Sequence, residues 1–262
     1  MHPILFRIGS LEVYSYGVLL VIAFYISLYF LTTEAKRKKI DTQTILDIAL
    51  VAIISGILGG KLAYIILNLQ LYIQEPFDIN LWRGGFIFNG GFFLSILTVF
   101  IYAKKKKLPF LFIIDLFIPY AALGEAIGRI GCFLNGCCYG KPTKLPWGQV
   151  FTLDSPAGFR YGALPLQPTQ LYSSFFLFIL FLILKETRDH QKFTGQTFLL
   201  YLIFYPTFRF FLDFLRGDRL GPFFYNLTLF QIICIGIVMI ALAIFTFKKR
   251  NNHSIPTNLT NR

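Results

Sequence analysis

Charged side chains are scarce in this chain. Asp, Glu, Lys and Arg make up 15% of its 262 residues, where a soluble domain carries about a quarter. With 55% hydrophobic residues and a mean hydropathy of +0.62, that shortage excludes an ordinary soluble globular domain. No segment is polar and long enough to bury a soluble core of its own. Acidic residues are scarcer than basic ones, 13 against 25, and the net charge is +12. Nucleic acid is not implied, because the basic residues fall in short clusters between apolar segments, as in the cytoplasmic loops of membrane proteins. Histidine is rarer still. His2, His190 and His253 lie near the ends or in a predicted loop, which leaves no imidazole within the apolar segments. The four cysteines match no zinc template: Cys132, Cys137 and Cys138 are spaced C-x4-C-C with no histidine near them, so no metal site is expected.

What is abundant is apolar sequence in lengths that suit a bilayer. A span needs about 20 mainly apolar residues, and seven segments approach this: 13–32, 45–68, 86–103, 109–128, 169–185, 196–215 and 226–247. The expected fold class is therefore an all-α integral membrane protein. Lys36 to Lys39 follow the first span, Lys104 to Lys107 the third, Lys185, Arg188 and Lys192 the fifth, and Lys248 to Arg250 the seventh. All fall on one side, which the positive-inside rule makes cytoplasmic, with the amino terminus outside and the carboxyl terminus inside. The first apolar run precedes its charges and lacks a small-x-small site, so it reads as a span and not as a cleaved leader. Residues 1–250 read as one membrane domain, 129–168 as a small proline-containing extracytoplasmic head, and 251–262 as a disordered polar tail.

Several charges sit on the outward half of this bundle, where lipid alone would exclude them: Lys61, Glu125, Arg129, Arg209, Asp213 and Arg216. Intramembrane charges of this kind pair with one another or line a cavity. Arg209 and Asp213 are four apart and Asp213 and Arg216 three apart, so internal ion pairs are one reading. Basic residues outnumber acidic ones there, however. Arg83 and Arg219 join the cations, and only Asp218 joins the acids. A surplus of guanidinium suits an anionic ligand, and at a membrane surface the abundant anion is a phospholipid head group. Around Arg129 stand Gly124, Gly128, Gly131 and Gly136. Their lack of a side chain permits close backbone approach to a ligand, while close helix packing alone would account for the first two. Cys132 could bridge Cys137 or Cys138 in an oxidising compartment, and Cys234 reads as a core residue.

Six stretches carry a resemblance to a known family: Tyr16-Gly17, GGKLAYIILN at 59–68, RGGFIFNGG at 83–91, GRIGCFLNGCCYG at 128–140, QPTQLY at 167–172 and YPTFRFFLDFLRGD at 205–218. In this order they resemble the prolipoprotein diacylglyceryl transferases, integral membrane enzymes that begin bacterial lipoprotein maturation. The resemblance implies transfer of the diacylglyceryl group of phosphatidylglycerol to the lipobox cysteine of a prolipoprotein signal peptide, with glycerol phosphate leaving. It implies no cofactor, a place in the bacterial cytoplasmic (inner) membrane as a multi-pass protein, and a site facing the outer leaflet. A monomer is expected. Catalytic roles fall to Arg129, Arg209, Asp213 and Asn89, and substrate contacts to Arg129, Arg209, Arg216, Tyr16, Lys61, Gly90, Gly91, Asn135, Gly140 and Tyr205. The chain also departs from the family pattern. Asn89 stands where a histidine is usual, Cys132 for an asparagine, Cys137 for a glutamate, Asp213 for a glutamate, and Ser173 for a glutamate. These departures favour, as alternatives, a relative that binds phospholipid or lipoprotein precursor without catalysis, or less readily a small transporter.

Overall fold

The computed structural model describes residues 4–8, 11–75, 84–219, 221 and 223–251. Arg83 and the tail from 252 onward lie outside the described residues. A short antiparallel hairpin opens the chain, β1 (Ile4–Ile8) with β2 (Leu11–Tyr14), and Arg7 pairs with Glu12 across it at 2.9 Å. The hydropathy pattern shows no sign of this hairpin, because it is too short to register. Helices follow: α1 (Ser15–Arg37), α2 (Thr42–Leu67), α3 (Leu69–Gln74), α4 (Phe88–Lys105), α5 (Phe110–Asn135), α6 (Pro156–Tyr161), α7 (Thr169–Asp189), α8 (Gln196–Leu215) and α9 (Leu229–Asn251). Six of them, α1, α2, α5, α7, α8 and α9, are long and apolar enough to cross a membrane. The third segment expected to span is helical, α4, at 18 residues. Asn89 at one end and Lys104 and Lys105 at the other leave it outside those six. Large apolar side chains point outward along these helices, as with Tyr25, Ile66 and Phe175, each about seven-tenths exposed. In lipid that exposure is the stable arrangement, since every backbone group is satisfied within its own helix.

The chain divides into two compact units, Thr32–Ile113 and the remainder. In the first, α2 and α4 pack through glycines. A Cβ on Gly59 would stand 2.6 Å from the carbonyl oxygen of Gly90, one on Gly90 2.2 Å from Ala63 Cβ, and one on Gly91 2.5 Å from the Gly56 carbonyl oxygen. Small residues let the backbones touch, which is how helices associate in lipid. Hydroxyls supplement the contact: Thr98 donates to Ser55 Oγ at 2.8 Å and Ser95 to the Ala52 carbonyl. Gly90 and Gly91 therefore have a packing role of their own. Gly90→Val should overpack this seam and cost about 1–3 kcal/mol, read as a lower Tm of the purified protein; an unchanged Tm would show that the seam yields.

In the second unit, α5 carries Asp115 fully buried, and its carboxylate accepts the backbone N–H groups of Gly195 at 2.5 Å and Phe198 at 2.9 Å. A side chain of one helix thus caps the amino terminus of another, α8, where the helix dipole favours negative charge. Along α7, Leu177, Leu180 and Leu184 form a buried stripe at helical spacing.

The fourth span extends further than hydropathy indicates. Residues 129–135, expected to begin the head, are the last two turns of α5. The helix stops at Asn135 because Gly136 adopts φ +72°. Its N–H then bonds the Phe133 carbonyl at 3.2 Å, and Cys137 N–H bonds the Cys132 carbonyl at 3.1 Å. This pair of bonds is the Schellman closure, which satisfies carbonyls that a helix end leaves orphaned. Residues 136–168 form an irregular region with its own core of Tyr139, Phe151, Ala157 and Leu166. Single β-bridges join Gly140 to Arg216 and Leu166 to Pro142 and Gln149.

Candidate active site

One end of α5 and one end of α8 meet in a cluster of charge. Arg129 Nη2 donates to Glu125 Oε1 at 2.6 Å, and the Tyr205 hydroxyl donates to the same oxygen at 2.8 Å. Tyr205 stacks on Tyr201, ring centroids 5.2 Å apart, so the phenol is held from both sides.

Of the two ion pairs expected along α8, Arg209–Asp213 forms as a long contact, while Arg216 pairs with Asp218 among the described residues. Arg209 Nη1 lies 3.9 Å from Asp213 Oδ1 and makes no hydrogen bond among the described residues, although that atom is buried. Its guanidinium sits instead over the Phe230 ring, 5.0 Å from the centroid. Asp213 is held elsewhere: the Thr228 hydroxyl donates to its Oδ2 at 3.0 Å, and Arg219 Nε approaches the same oxygen to 3.3 Å. The helix ends at Leu215 with Arg216 in extended conformation, which turns Arg216 from Asp213 to Asp218. There Nε donates to Oδ1 at 2.7 Å and Nη2 to Oδ2. Burial pulls the Arg216 guanidinium down, and the Asp218 bond more than offsets it, so its pKa is raised.

Arg129, Arg209 and Arg216 are each within electrostatic reach of the other two. Beside Arg216 a polar cleft of about 400 Å³ is lined by Lys141, Tyr161, Arg216 and Arg219 among others. A smaller crevice between α8 and α9, about 190 Å³ around Pro206, Phe210 and Cys234, is almost wholly apolar and offers no grip on a charged group. Gly124 and Gly128 separate here. A Cβ on Gly124 would meet Ser27 Oγ at 2.8 Å, whereas one on Gly128 would meet nothing within 4 Å among the described residues. Packing thus explains the first glycine and leaves open space at the second, next to Arg129.

Of the other residues that the sequence singles out, Tyr16 lies against Gly131, whose Cβ would stand 3.2 Å from the ring. Asn135 ends α5, and Gly140 packs under Gln167 while its bridge ties Arg216 in place. Lys61, Asn89, Gly90 and Gly91 belong to the other unit. In that unit Lys61 Nζ donates to the Gly84 carbonyl at 2.7 Å and sits 5.4 Å from the centre of the Tyr64 ring, and Asn89 is exposed on the first turn of α4. The sequence reading overlooked Gln170 and Gln231, both essentially fully buried. Gln170 Nε2 donates to the Cys137 carbonyl at 2.7 Å and Thr169 to the Cys138 carbonyl at 2.8 Å. Gln231 Oε1 accepts from Arg219 at 2.9 Å and from Thr228 N–H at 2.9 Å. A glutamine inside an apolar run is the signal that could have found both.

The cysteines lie closer together than their spacing suggests. The Sγ atoms of Cys132, Cys137 and Cys138 are all within 4.8 Å of one another, and all three are free thiols. Hydrogen bonds from Cys132 and Cys137 push the Cys138 thiol well below the usual range, with Arg216 and Arg129 adding to the effect. The Cys137 thiol goes the other way. Its bond from Cys132 pulls it down, but its bond to Cys138 and burial raise it by more.

These features define a multi-pass membrane protein that gathers guanidinium groups around a polar cleft at the ends of its helices. The family model of prolipoprotein diacylglyceryl transferase matches residues 3–247, and the chain belongs to that family. It is 39% identical over 250 residues, covering 95% of this chain and 98% of the relative, to the phosphatidylglycerol–prolipoprotein diacylglyceryl transferase of Clostridium tetani. A protein of the same name from Fusobacterium nucleatum is 33% identical over 290 residues, 96% of this chain and 99% of the relative. One from Clostridium perfringens, named phosphatidylglycerol–prolipoprotein diacylglyceryl transferase 2, is 35% identical over 224 residues, 84% and 86% of the two chains.

Proposed function

We propose that this chain transfers the diacylglyceryl group of phosphatidylglycerol to the lipobox cysteine thiol of a prolipoprotein, forming a thioether and releasing glycerol phosphate. The observation that carries the reading is the buried Arg209 Nη1, which has no hydrogen bond among the described residues, beside Arg129 and Arg216. A buried cation left without full compensation is costly, and a phosphodiester supplies what it lacks. In the reaction a thiolate attacks the glycerol carbon, the C–S bond forms, and the C–O bond to phosphorus breaks with its electron pair leaving on the phosphate oxygen. Arg129 and Arg209 stabilise the charge that grows on that oxygen, with Arg216 assisting. Tyr16, Tyr205, Asn135 and Gly140 shape the head-group site, and Asp213, engaged by Thr228 and Arg219, braces α8 more than it accepts protons. Lys61, Gly90, Gly91 and Asn89 keep the roles that the family resemblance implies for them.

The thiol, with a reference pKa of about 8.5, must also lose its proton. Asn89 has no basic atom, so activation falls to the surroundings, where nearby arginines favour thiolate. Asn89→His should therefore keep transfer at no less than the parent rate, and Asn89→Ala should slow it by less than about tenfold, below the 10²–10⁴ expected for loss of a true general base. A loss beyond that range in Asn89→Ala would make Asn89 indispensable.

In the membrane we place seven spans with α4 as the third, the amino terminus outside, the carboxyl terminus in the cytoplasm, and the head at the outer leaflet of the bacterial cytoplasmic membrane. Residues 1–250 act as one domain of a monomer. The same placement of every basic cluster on one side supports this orientation. The test is a transfer assay with purified protein in detergent, phosphatidylglycerol and a synthetic lipobox peptide. Glycerol phosphate release that requires the peptide's cysteine is expected. Phospholipid retained without release would instead mark a lipid-binding relative that has lost the reaction.

A further inference from the structure

We infer that Cys132, Cys137 and Cys138 form an open trithiolate site for a zinc-like metal ion, whose fourth position takes the substrate thiol. The inference rests in its catalytic part on the transfer reading above. The geometry comes from the backbone. The Schellman closure brings Cys137 N–H onto the Cys132 carbonyl at 3.1 Å, five residues back and beside it in space. Cys138 then adopts φ +58°, a left-handed conformation that a β-carbon disfavours, and this returns its side chain toward the other two. The resulting sulfurs lie within 4.8 Å of one another. Three ligands on a tetrahedral ion with Zn–S bonds of about 2.3 Å stand ~3.8 Å apart, so a small inward adjustment closes the site.

Its frame is fixed from outside. Gln170 and Thr169, both nearly fully buried, hold the backbone carbonyls of Cys137 and Cys138 at 2.7 and 2.8 Å. Cys132 is buried while Cys137 and Cys138 stay partly exposed, so the cluster lies at the edge of the buried region. Three thiolates and a dication carry net −1, and Arg129 and Arg216 are within electrostatic reach to balance it. Catalytic zinc keeps such an open position. A thiol bound there loses its proton to water, and the metal-held thiolate attacks the glycerol carbon as the phosphate oxygen departs with the C–O pair. The site thus supplies the activation that Asn89 cannot.

Full-length protein, purified in detergent with a phosphine reductant, is to be loaded with Zn²⁺ and separately with Co²⁺. Elemental analysis should find one zinc per chain, and cobalt should give an intense sulfur-to-metal charge-transfer band. Cys132→Ser and Cys138→Ser should each lower zinc retention by at least about tenfold, while Cys234→Ser, a cysteine of α9 outside the cluster, should retain it. Chelation should slow transfer by at least about tenfold, with recovery on adding zinc. Failure of the parent to hold zinc, equal retention in the serine variants, or a disulfide among the three cysteines in place of metal would each overturn the site. Bound zinc whose removal leaves the rate unchanged would overturn its catalytic part. If apo protein transfers normally, the transfer reading stands and the catalytic part of this inference fails. If zinc binds through the cysteines but no metal state releases glycerol phosphate, the site stands and the transfer reading fails.

Discussion

Arg209→Ala and Arg129→Ala should each reduce glycerol phosphate release by about 10²–10³-fold, the loss seen when a preorganised donor to developing negative charge is removed. The two should differ in stability. Among the described residues, Arg209 has a buried Nη1 without a hydrogen bond and stands 3.9 Å from the Asp213 carboxylate. Its removal deletes an incompletely compensated group, so Tm should hold or rise, as at other sites where function is maintained against stability. Arg129 is bonded to Glu125, which also accepts from Tyr205. Its removal leaves the Glu125 carboxylate part-buried without its cation, and Tm should fall. Arg209→Lys keeps the charge but not the planar fork, so it should recover only part of the rate. Rate measurements paired with thermal unfolding of the same preparations decide the matter. Normal turnover in Arg209→Ala would remove the central role given to that residue.

Asp115→Ala should have the largest effect on folding, with turnover per folded molecule little changed. Its carboxylate accepts two backbone N–H groups at the start of α8 and is fully buried. Truncation orphans both donors in a setting that water does not reach, at a cost of about 2–3 kcal/mol for charge-assisted bonds. Asp115→Asn retains one acceptor oxygen and should lose roughly half as much. Asp115 precedes Arg129 by 14 residues on the same helix, about 21 Å along the axis, so the chemistry should be insulated from the change. Chemical or thermal unfolding in detergent measures the first effect, and initial rates normalised to folded protein the second. An Asp115→Ala protein as stable as the parent would show that the amino terminus of α8 finds other acceptors.

Both effects contrast with what could be read from residues alone. Arg129 and Arg209 stand out in the sequence because a guanidinium inside an apolar run is expensive and calls for an explanation. Asp115 did not stand out, since a lone acid near the start of a span looks like a boundary residue until its distant partners, Gly195 and Phe198, are known. Helical spacing suggested that Asp213 pairs with Arg209 or Arg216. The Arg209 contact forms at 3.9 Å and the Arg216 one does not, because spacing describes only neighbours on one helix, while Thr228 and Arg219 reach Asp213 from the segment beyond α8 and Arg216 turns to Asp218. The glycines divided for the same reason. Gly90 and Gly91 are required by a facing helix, and Gly128 by none among the described residues.

The sequence by itself determined the solvent of this protein, its helices and its family. Long apolar runs need lipid and must satisfy their own backbones, and six short motifs in order identify the chemistry. Only the tertiary structure decided where α5 ends, which acid holds which arginine, and that three cysteines with no recognisable spacing lie together. Each of these depends on a turn or on a partner far along the chain. Hydropathy and periodicity report what a residue prefers as solvent and which near neighbours it can touch. They carry no information about which distant backbone a turn at Gly136 and Cys138 will bring alongside.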